Sequence, residues 1–150
     1  MSGPNREFSI ILTTYFICIY IYSILNRYMN NMFLTGVDIV TIARFRDPPL
    51  QKQTFLNLCF TPSEQIYCLS KTDPAPHFAA RFAAKEAVIK ALSGLDLYLE
   101  RNKIQITTNM IGRPYITFLT DNPRILQLKS DISLSHSETD AIAFVILWTT

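Results

Sequence analysis

The sequence predicts an α+β fold, because one strong helical segment stands among extended segments that do not alternate regularly with helices. The helical segment covers residues 77–92 (HFAARFAAKEAVIKAL), which are rich in alanine. Pro74 and Pro76 mark its start, and Ser93-Gly94 is a typical helix stop. The extended segments either alternate in polarity or carry many β-branched residues, which favours strands.

Two elements are predicted before the long helix. Residues 33–42 (FLTGVDIVTI) are mostly apolar and β-branched, which is typical of a buried strand. The sequence Thr61-Pro62-Ser63-Glu64 places a hydroxyl at the N-cap, proline at the first helical position and glutamate at the third. This capping pattern predicts a short helix that continues to about Leu69.

Two pairs of strands are predicted after the long helix. Residues 103–108 and 115–119 both alternate in polarity, and the turn-forming residues 109–114 between them indicate a hairpin. Residues 131–136 and 141–148 form the second pair. Because residues 141–148 are apolar on both faces, we expect them to be a central strand.

Composition excludes several classes of function. Fourteen basic and twelve acidic residues give a net charge of +2, so we expect no nucleic-acid partner bound by overall charge. The three cysteines form no CxxC pair, which argues against a disulfide framework and a thiolate zinc site. The four glycines are too scattered for a dinucleotide-binding or phosphate-binding loop. Any metal is therefore expected to be a hard ion held by carboxylates.

The N-terminal residues differ from the rest of the chain. Residues 1–31 are predicted to be an apolar extension, and residues 32–150 a single domain that is large enough to bury a core. Residues 8–25 form a run without any charged side chain, and the length of this run is at the lower edge for a membrane span. Three interpretations stay open: a membrane anchor, a targeting segment, or upstream sequence that is only read as protein because the true start is Met29 or Met32. Membrane contact is expected only if this run is part of the protein.

Glu86 lies in the long helix among apolar neighbours. Its neighbours at helical spacing are Phe82, Ala83 and Ile89. A carboxylate in such surroundings must be paired, protonated or bound to a metal. Lys90, four residues later on the same face, offers a helical ion pair as the simplest alternative.

Asp38 falls inside the apolar strand predicted at residues 33–42, where aspartate is disfavoured. One interpretation is an aspartate at a strand end that accepts hydrogen bonds from nearby backbone N–H groups. The other joins Asp38 and Glu86 as two oxygen ligands of Mg²⁺, which often takes only one or two protein carboxylates.

Several basic side chains are candidate phosphate or partner contacts. His136 is either a structural histidine bonded to neighbouring hydroxyls or a phosphate contact at a strand end. Arg81 and Lys85, one helical turn apart, form either a solvated basic stripe or a phosphate contact. Arg44 and Arg46 follow the first strand and either remain solvated or face an acidic partner.

These blocks, in this order, resemble the holo-acyl-carrier-protein synthases, the small bacterial type of 4′-phosphopantetheinyl transferase. The resemblance covers residues 32–150 and rests on GVDIV at 36–40 with Arg44, RFAAKEAVIKAL at 81–92, and SLSH at 133–136, with GRPY at 112–115 similar to the family's turn between two strands. It implies the family's fold, in which one long helix packs on an antiparallel-type sheet.

The resemblance also implies a reaction. Coenzyme A donates its 4′-phosphopantetheine arm to a serine of apo acyl carrier protein and leaves as adenosine 3′,5′-bisphosphate, a step that serves fatty acid biosynthesis. A divalent ion, Mg²⁺ or alternatively Mn²⁺, is expected to bridge the pyrophosphate and reduce the repulsion between negative oxygens. A cytoplasmic homotrimer with sites between subunits is typical of the family.

The family's motif residues transfer to named positions. Asp38 and Glu86 match the metal ligands, and either carboxylate could act as the general base toward the serine. Lys90 matches a lysine beside the pyrophosphate. We therefore expect these three residues to form the catalytic centre.

Four further positions match binding residues of the family. Arg81 and His136 match contacts to the nucleotide or its phosphates, and Pro114 matches a residue that lines the coenzyme site. Arg44 matches a position that grips the acidic carrier protein.

Two other classes of function compete with the transferase. The first is a non-catalytic module that binds carrier proteins, against which the joint presence of Asp38, Glu86 and Lys90 argues. The second is a membrane-anchored scaffold, which only the apolar residues 8–25 suggest.

Overall fold

The computed structural model describes residues 17–21, 32–46 and 52–149. Contacts divide the chain into two units, and the second unit is Phe33–Trp148. In the first unit, residues 17–21 are helical. No helix among the described residues is long and apolar enough to cross a membrane. Most of the apolar run at 8–25 lies outside these residues, so the interpretations of residues 1–31 and the boundary at residue 32 stay predictions.

The second unit contains five strands and four α-helices among its described residues. In chain order the elements are β1 (Phe33–Thr41), a 3-10 helix (Ile42–Phe45), α1 (Gln53–Cys59), α2 (Pro62–Leu69), α3 (Pro74–Ser93), a 3-10 helix (Arg101–Lys103), β2 (Ile104–Thr108), β3 (Pro114–Phe118), α4 (Pro123–Leu126), β4 (Lys129–His136) and β5 (Asp140–Trp148). The predicted strands, the capped short helix and the long helix are all present, which confirms the α+β class.

The main sheet is antiparallel and has the strand order β1-β5-β4. β5 is therefore central, as its apolar residues on both faces predicted. In this register Asp38 of β1 and Leu134 of β4 both pair with Ala143 of β5, so they point to the same face of the sheet. β2 and β3 form the predicted hairpin as a separate two-stranded sheet.

Helix α3 packs against the face of the main sheet that carries Asp38. Gly36 permits this close approach, because a Cβ atom at that position would lie 1.8 Å from the Ala87 carbonyl oxygen. The helix begins three residues before the predicted start, since Asp73 caps it by accepting a hydrogen bond from the Ala75 backbone N–H. Proline at the first helical position fits this cap.

Helices α1 and α2 flank the start of α3. The capping box of α2 has both predicted hydrogen bonds, from the Glu64 N–H to the Thr61 hydroxyl and from the Thr61 N–H to the Glu64 carboxylate. Helix α1 was not predicted, and its N-cap residue Lys52 makes no capping hydrogen bond with its side chain. A cluster of aromatic rings joins these helices to the core; its members are Phe45, Phe55, Phe60, Phe78 and Phe82.

The opposite face of the main sheet remains apolar and exposed. We call this surface the outer face; its exposed apolar side chains are Phe33, Val37, Ile39, Ile142 and Phe144. They belong to the two adjacent strands β1 and β5, in which Val37 pairs with Phe144 and Ile39 with Ile142. They therefore form one continuous patch rather than scattered single residues.

Candidate functional site

Asp38 projects from the middle of β1 toward the end of α3. Its Oδ1 accepts a hydrogen bond from the Lys90 ammonium at 2.7 Å, and the same ammonium donates to the Val37 carbonyl at 2.9 Å. The side chain of Asp38 is mostly shielded, whereas that of Lys90 is about half exposed. The interpretation of Asp38 as a strand-end residue bonded to backbone N–H groups is wrong, because its recorded partner is a lysine on the facing helix.

Glu86 does not pair with Lys90. Its Oε1 accepts a hydrogen bond from Arg101 Nε, and this bond raises the pKa of the Arg101 guanidinium. The guanidinium also lies over the Phe82 ring, 5.4 Å from its centroid. The prediction of a helical ion pair between Glu86 and Lys90 is therefore wrong, because each residue finds a partner outside the helix.

The two carboxylates suit a divalent ion. Asp38 Oδ2 and Glu86 Oε2 have no hydrogen-bond partner within the described ranges, while the other oxygen of each is held by a cation. In those same ranges no group of three or more acidic, histidine or cysteine side chains is arranged around a common point. Two carboxylates on facing elements match the needs of Mg²⁺, which fills its remaining positions with water and phosphate oxygens. The assignment of Asp38 and Glu86 as ligands stays a prediction.

Lys85 is buried rather than solvated. Its ammonium donates to Glu64 Oε2 at 2.7 Å and to the Arg101 carbonyl at 2.8 Å, and it also bonds the Ile104 carbonyl. Glu64 has both oxygens occupied, since Oε1 accepts from the Ile106 N–H at 2.9 Å. Burial lowers the pKa of Lys85, although the neighbouring Glu64 carboxylate opposes this effect. The prediction of a solvated stripe is wrong for Lys85.

Arg81 is also buried and carries an unsatisfied donor. Its residue is 4% exposed, and Nε has no hydrogen-bond partner in the part of the chain that the structure describes, although Nη1 donates to the His77 carbonyl at 3.3 Å. The guanidinium lies 4.1 Å from the centroid of the Tyr67 ring. The solvated interpretation is therefore wrong for Arg81 too. A buried arginine with a free N–H is suited to an anion such as a phosphate.

His136 and Arg81 both influence the ionisation of His77. Burial lowers the pKa of His77, and the positive charges of Arg81, Lys71 and His136 lower it further. His136 itself is exposed at the end of β4, with Nδ1 3.1 Å from the Ser137 carbonyl oxygen. The interpretation of His136 as bonded to neighbouring hydroxyls is wrong, because its recorded partner is this carbonyl.

Pro114 and Arg44 lie on other parts of this unit. Pro114 begins β3, pairs with Thr108 and lines a depression together with Tyr115. Arg44, in the 3-10 helix after β1, is exposed, and its guanidinium lies 6.0 Å from the centroid of the Phe82 ring. Arg46 differs from Arg44 because it forms an ion pair with Asp73 at 2.9 Å. Arg44, in contrast, forms no ion pair with an acidic side chain among the described residues.

Sequence reasoning missed two members of this site. Glu64 was assigned only to a cap, yet its carboxylate also binds the Lys85 ammonium and the N–H of Ile106. Arg101 was not singled out, although it holds Glu86. A glutamate in a capping box gives no signal that it reaches a lysine 21 residues away.

Comparisons with known proteins show which family this chain is similar to. The model of the 4′-phosphopantetheinyl transferase superfamily matches residues 35–146. The holo-[acyl-carrier-protein] synthase of Cytophaga hutchinsonii is 42% identical over 118 residues, which are 74% of this chain and 93% of that protein. The acyl carrier protein synthase structure from Mycobacterium tuberculosis is 33% identical with a TM-score of 0.60, covering 78% and 97% of the two chains. A Chronobacterium ammoniagenes complex with CoA is 26% identical with a TM-score of 0.66, covering 79% and 98%.

Proposed function

Because the chain belongs to the 4′-phosphopantetheinyl transferase superfamily, we propose that it transfers 4′-phosphopantetheine from coenzyme A to a serine of apo acyl carrier protein for fatty acid biosynthesis. The observation that carries this proposal is the convergence of Asp38 with Lys90 across the interface of β1 and α3, with Glu86 one helical turn from Lys90. A cytoplasmic location belongs to the same proposal.

The reaction exchanges one P–O bond for another. The serine oxygen attacks the phosphorus that carries the pantetheine arm, and the bond to the bridging pyrophosphate oxygen breaks. Glu86 or Asp38 takes the serine proton as general base. Asp38 and Glu86 would hold Mg²⁺ or Mn²⁺, which supplies positive charge beside the pyrophosphate oxygens. Lys90, whose ammonium is about half exposed, would neutralise charge on the leaving bisphosphate.

Two separate groups of side chains would bind the substrates. The unsatisfied Nε of Arg81 and the exposed His136 would contact phosphates of coenzyme A, and Pro114 would line the coenzyme site. Arg44 would contact the acidic carrier protein, since it is exposed and has no recorded acidic partner. Charge complementarity of this local kind increases the rate of association more than the overall charge of +2 could.

The proposed reaction predicts a defined change in the mass of the carrier protein. Apo carrier protein incubated with this chain, coenzyme A and Mg²⁺ should gain the mass of one phosphopantetheine arm. Carrier protein with alanine at the acceptor serine is the control and should gain nothing. Binding of the carrier protein without any gain in mass would contradict the transferase and support the non-catalytic binding module.

The outer face supports a homotrimer as the assembly. A continuous exposed apolar patch marks an interaction surface, and homo-oligomers are mostly closed and symmetric. The number of three subunits comes from the resemblance to the family. The patch lies on the face of the sheet opposite to α3, so an interface there would not bury Asp38, which is on the α3 side.

Replacement of Ile39 by glutamate should break this assembly. Ile39 is 65% exposed on the outer face, and a carboxylate buried there in an interface would be unpaired. We expect light scattering to give the mass of a trimer for the parent chain and of a monomer for Ile39→Glu. Ile66→Glu, on α2 and equally exposed, is the matched control and should stay trimeric. A monomeric parent would refute the trimer.

A further inference from the structure

Two adjacent residues of α3 hold the same arginine at two points. The Lys85 ammonium donates a hydrogen bond to the Arg101 backbone carbonyl at 2.8 Å. The Glu86 carboxylate accepts a hydrogen bond from Arg101 Nε. One contact fixes the backbone of Arg101, and the other joins its side chain to a predicted metal ligand.

The contact to the backbone of Arg101 belongs to a buried network. The Lys85 ammonium uses its three donors on Glu64, on the Arg101 carbonyl and on the Ile104 carbonyl. Glu64 also accepts hydrogen bonds from two backbone N–H groups. Both side chains are 0% exposed. Because a fully satisfied polar network in the interior is rigid, the backbone of Arg101 has a fixed position relative to α3.

The side chain of Arg101 is held between a ring and a carboxylate. Its guanidinium lies 5.4 Å from the centroid of the Phe82 ring, and Phe82 precedes Glu86 by one helical turn on the same face. The guanidinium occupies Oε1 of Glu86, while Oε2 has no hydrogen-bond partner among the residues that the structure describes. This contact therefore determines which oxygen Glu86 presents to a ligand.

We infer that Arg101 is a positioning residue that orients the Glu86 carboxylate for transfer and weakens divalent-cation binding, and that the buried Glu64–Lys85 pair holds Arg101 in place. The inference rests on the proposed function, in which Glu86 is a ligand of the cation. Orientation of the carboxylate favours the reaction. The positive charge of Arg101, in contrast, repels a second cation nearby. Arg101 therefore increases the rate of transfer but weakens binding of the divalent cation.

The test uses the full chain with Mn²⁺ as the probe, with binding measured by electron paramagnetic resonance of the free ion. In Arg101→Met we expect the Kd for Mn²⁺ to fall about fivefold, because one neighbouring positive charge is removed. We expect kcat for transfer to fall about tenfold, because the carboxylate loses its orientation. Arg101→Lys keeps the charge but not the planar donor, so Kd should stay within about twofold and kcat should still fall about tenfold.

A matched control removes an arginine elsewhere. Arg124 is exposed, and its guanidinium donates to the Leu95 carbonyl, so Arg124→Met should leave both the Kd and kcat unchanged. A parallel loss of Mn²⁺ binding and transfer in Arg101→Met would show that Arg101 only supports the fold. No change, or tighter binding without slower transfer, would equally overturn the inference.

Glu86→Gln separates this inference from the proposed function. If Glu86→Gln leaves Mn²⁺ binding intact, the metal assignment is wrong and the inference falls with it. If Glu86→Gln weakens Mn²⁺ binding while Arg101→Met behaves like the parent chain, only the inference is overturned. Tighter binding with slower transfer in Arg101→Met, together with weaker binding in Glu86→Gln, supports both.

Discussion

Replacement of either Asp38 or Glu86 by alanine should lower the rate of phosphopantetheine transfer about 1000-fold. A divalent ion stabilises developing charge in such a reaction by several kcal/mol, and each 1.36 kcal/mol corresponds to a factor of ten in rate. Loss of about 4 kcal/mol of this stabilisation therefore gives the expected change. The measurement is the initial rate of mass gain of apo carrier protein at saturating coenzyme A and Mg²⁺.

The same substitutions should leave the fold intact. The ion pair between Asp38 and Lys90 is partly exposed, as is that between Glu86 and Arg101, and such pairs contribute little to stability. Asp121→Ala, which removes an exposed carboxylate from the loop between β3 and α4, is the control and should transfer at the parent rate. Full activity in both Asp38→Ala and Glu86→Ala would contradict the assignment of these residues as metal ligands.

Elements whose signals are local in sequence could be predicted. The capping box of α2 and the alanine-rich α3 depend on neighbours within one helical turn, and the structure confirms both. The position of β5 at the centre of its sheet followed from its apolar residues on both faces. Helix α1 has no capping hydrogen bond from its N-cap side chain, so its start carries no comparable signal.

The pairing of charges could not be predicted, because it depends on which elements approach each other. Lys90 lies four residues from Glu86 in the helix, yet it binds Asp38, 52 residues away in sequence. Lys90 binds Asp38 instead of Glu86 because β1 packs closely on α3, which Gly36 permits. Lys85 likewise turns inward because β2 and the preceding 3-10 helix supply carbonyl oxygens for its ammonium. The helical pattern of the sequence alone, without β2 and the 3-10 helix, would place Lys85 in solvent.

Asp38 and Glu86 illustrate where a resemblance adds to such reasoning. Periodicity identified Asp38 and Glu86 as unusual but left an ordinary interpretation for each. The structure removes both ordinary interpretations, since neither carboxylate has the partner that those interpretations required. Each of the two carboxylates has one oxygen bonded to a basic side chain, and its other oxygen has no partner among the described residues. This arrangement supports the proposed role of Asp38 and Glu86 as metal ligands.

Replacement of Lys85 by methionine should destabilise the chain by about 3–5 kcal/mol, because the buried carboxylate of Glu64 loses its counter-ion. The free energy of unfolding is measured by urea titration at one protein concentration, since the proposed assembly would make stability depend on concentration. Lys90→Met, which removes a half-exposed lysine from its pair with the mostly shielded Asp38, is the control and should change the free energy by at most about 1 kcal/mol.

A double substitution tests whether the loss comes from the unpaired charge. Glu64→Gln with Lys85→Met leaves no buried charge, so it should cost less than the sum of the two single substitutions. Glutamine still offers an oxygen to one of the two backbone N–H groups that Glu64 binds. Additive losses would mean that the two side chains do not interact energetically. A loss below about 1 kcal/mol in Lys85→Met would show that Glu64 is stabilised by its backbone contacts alone.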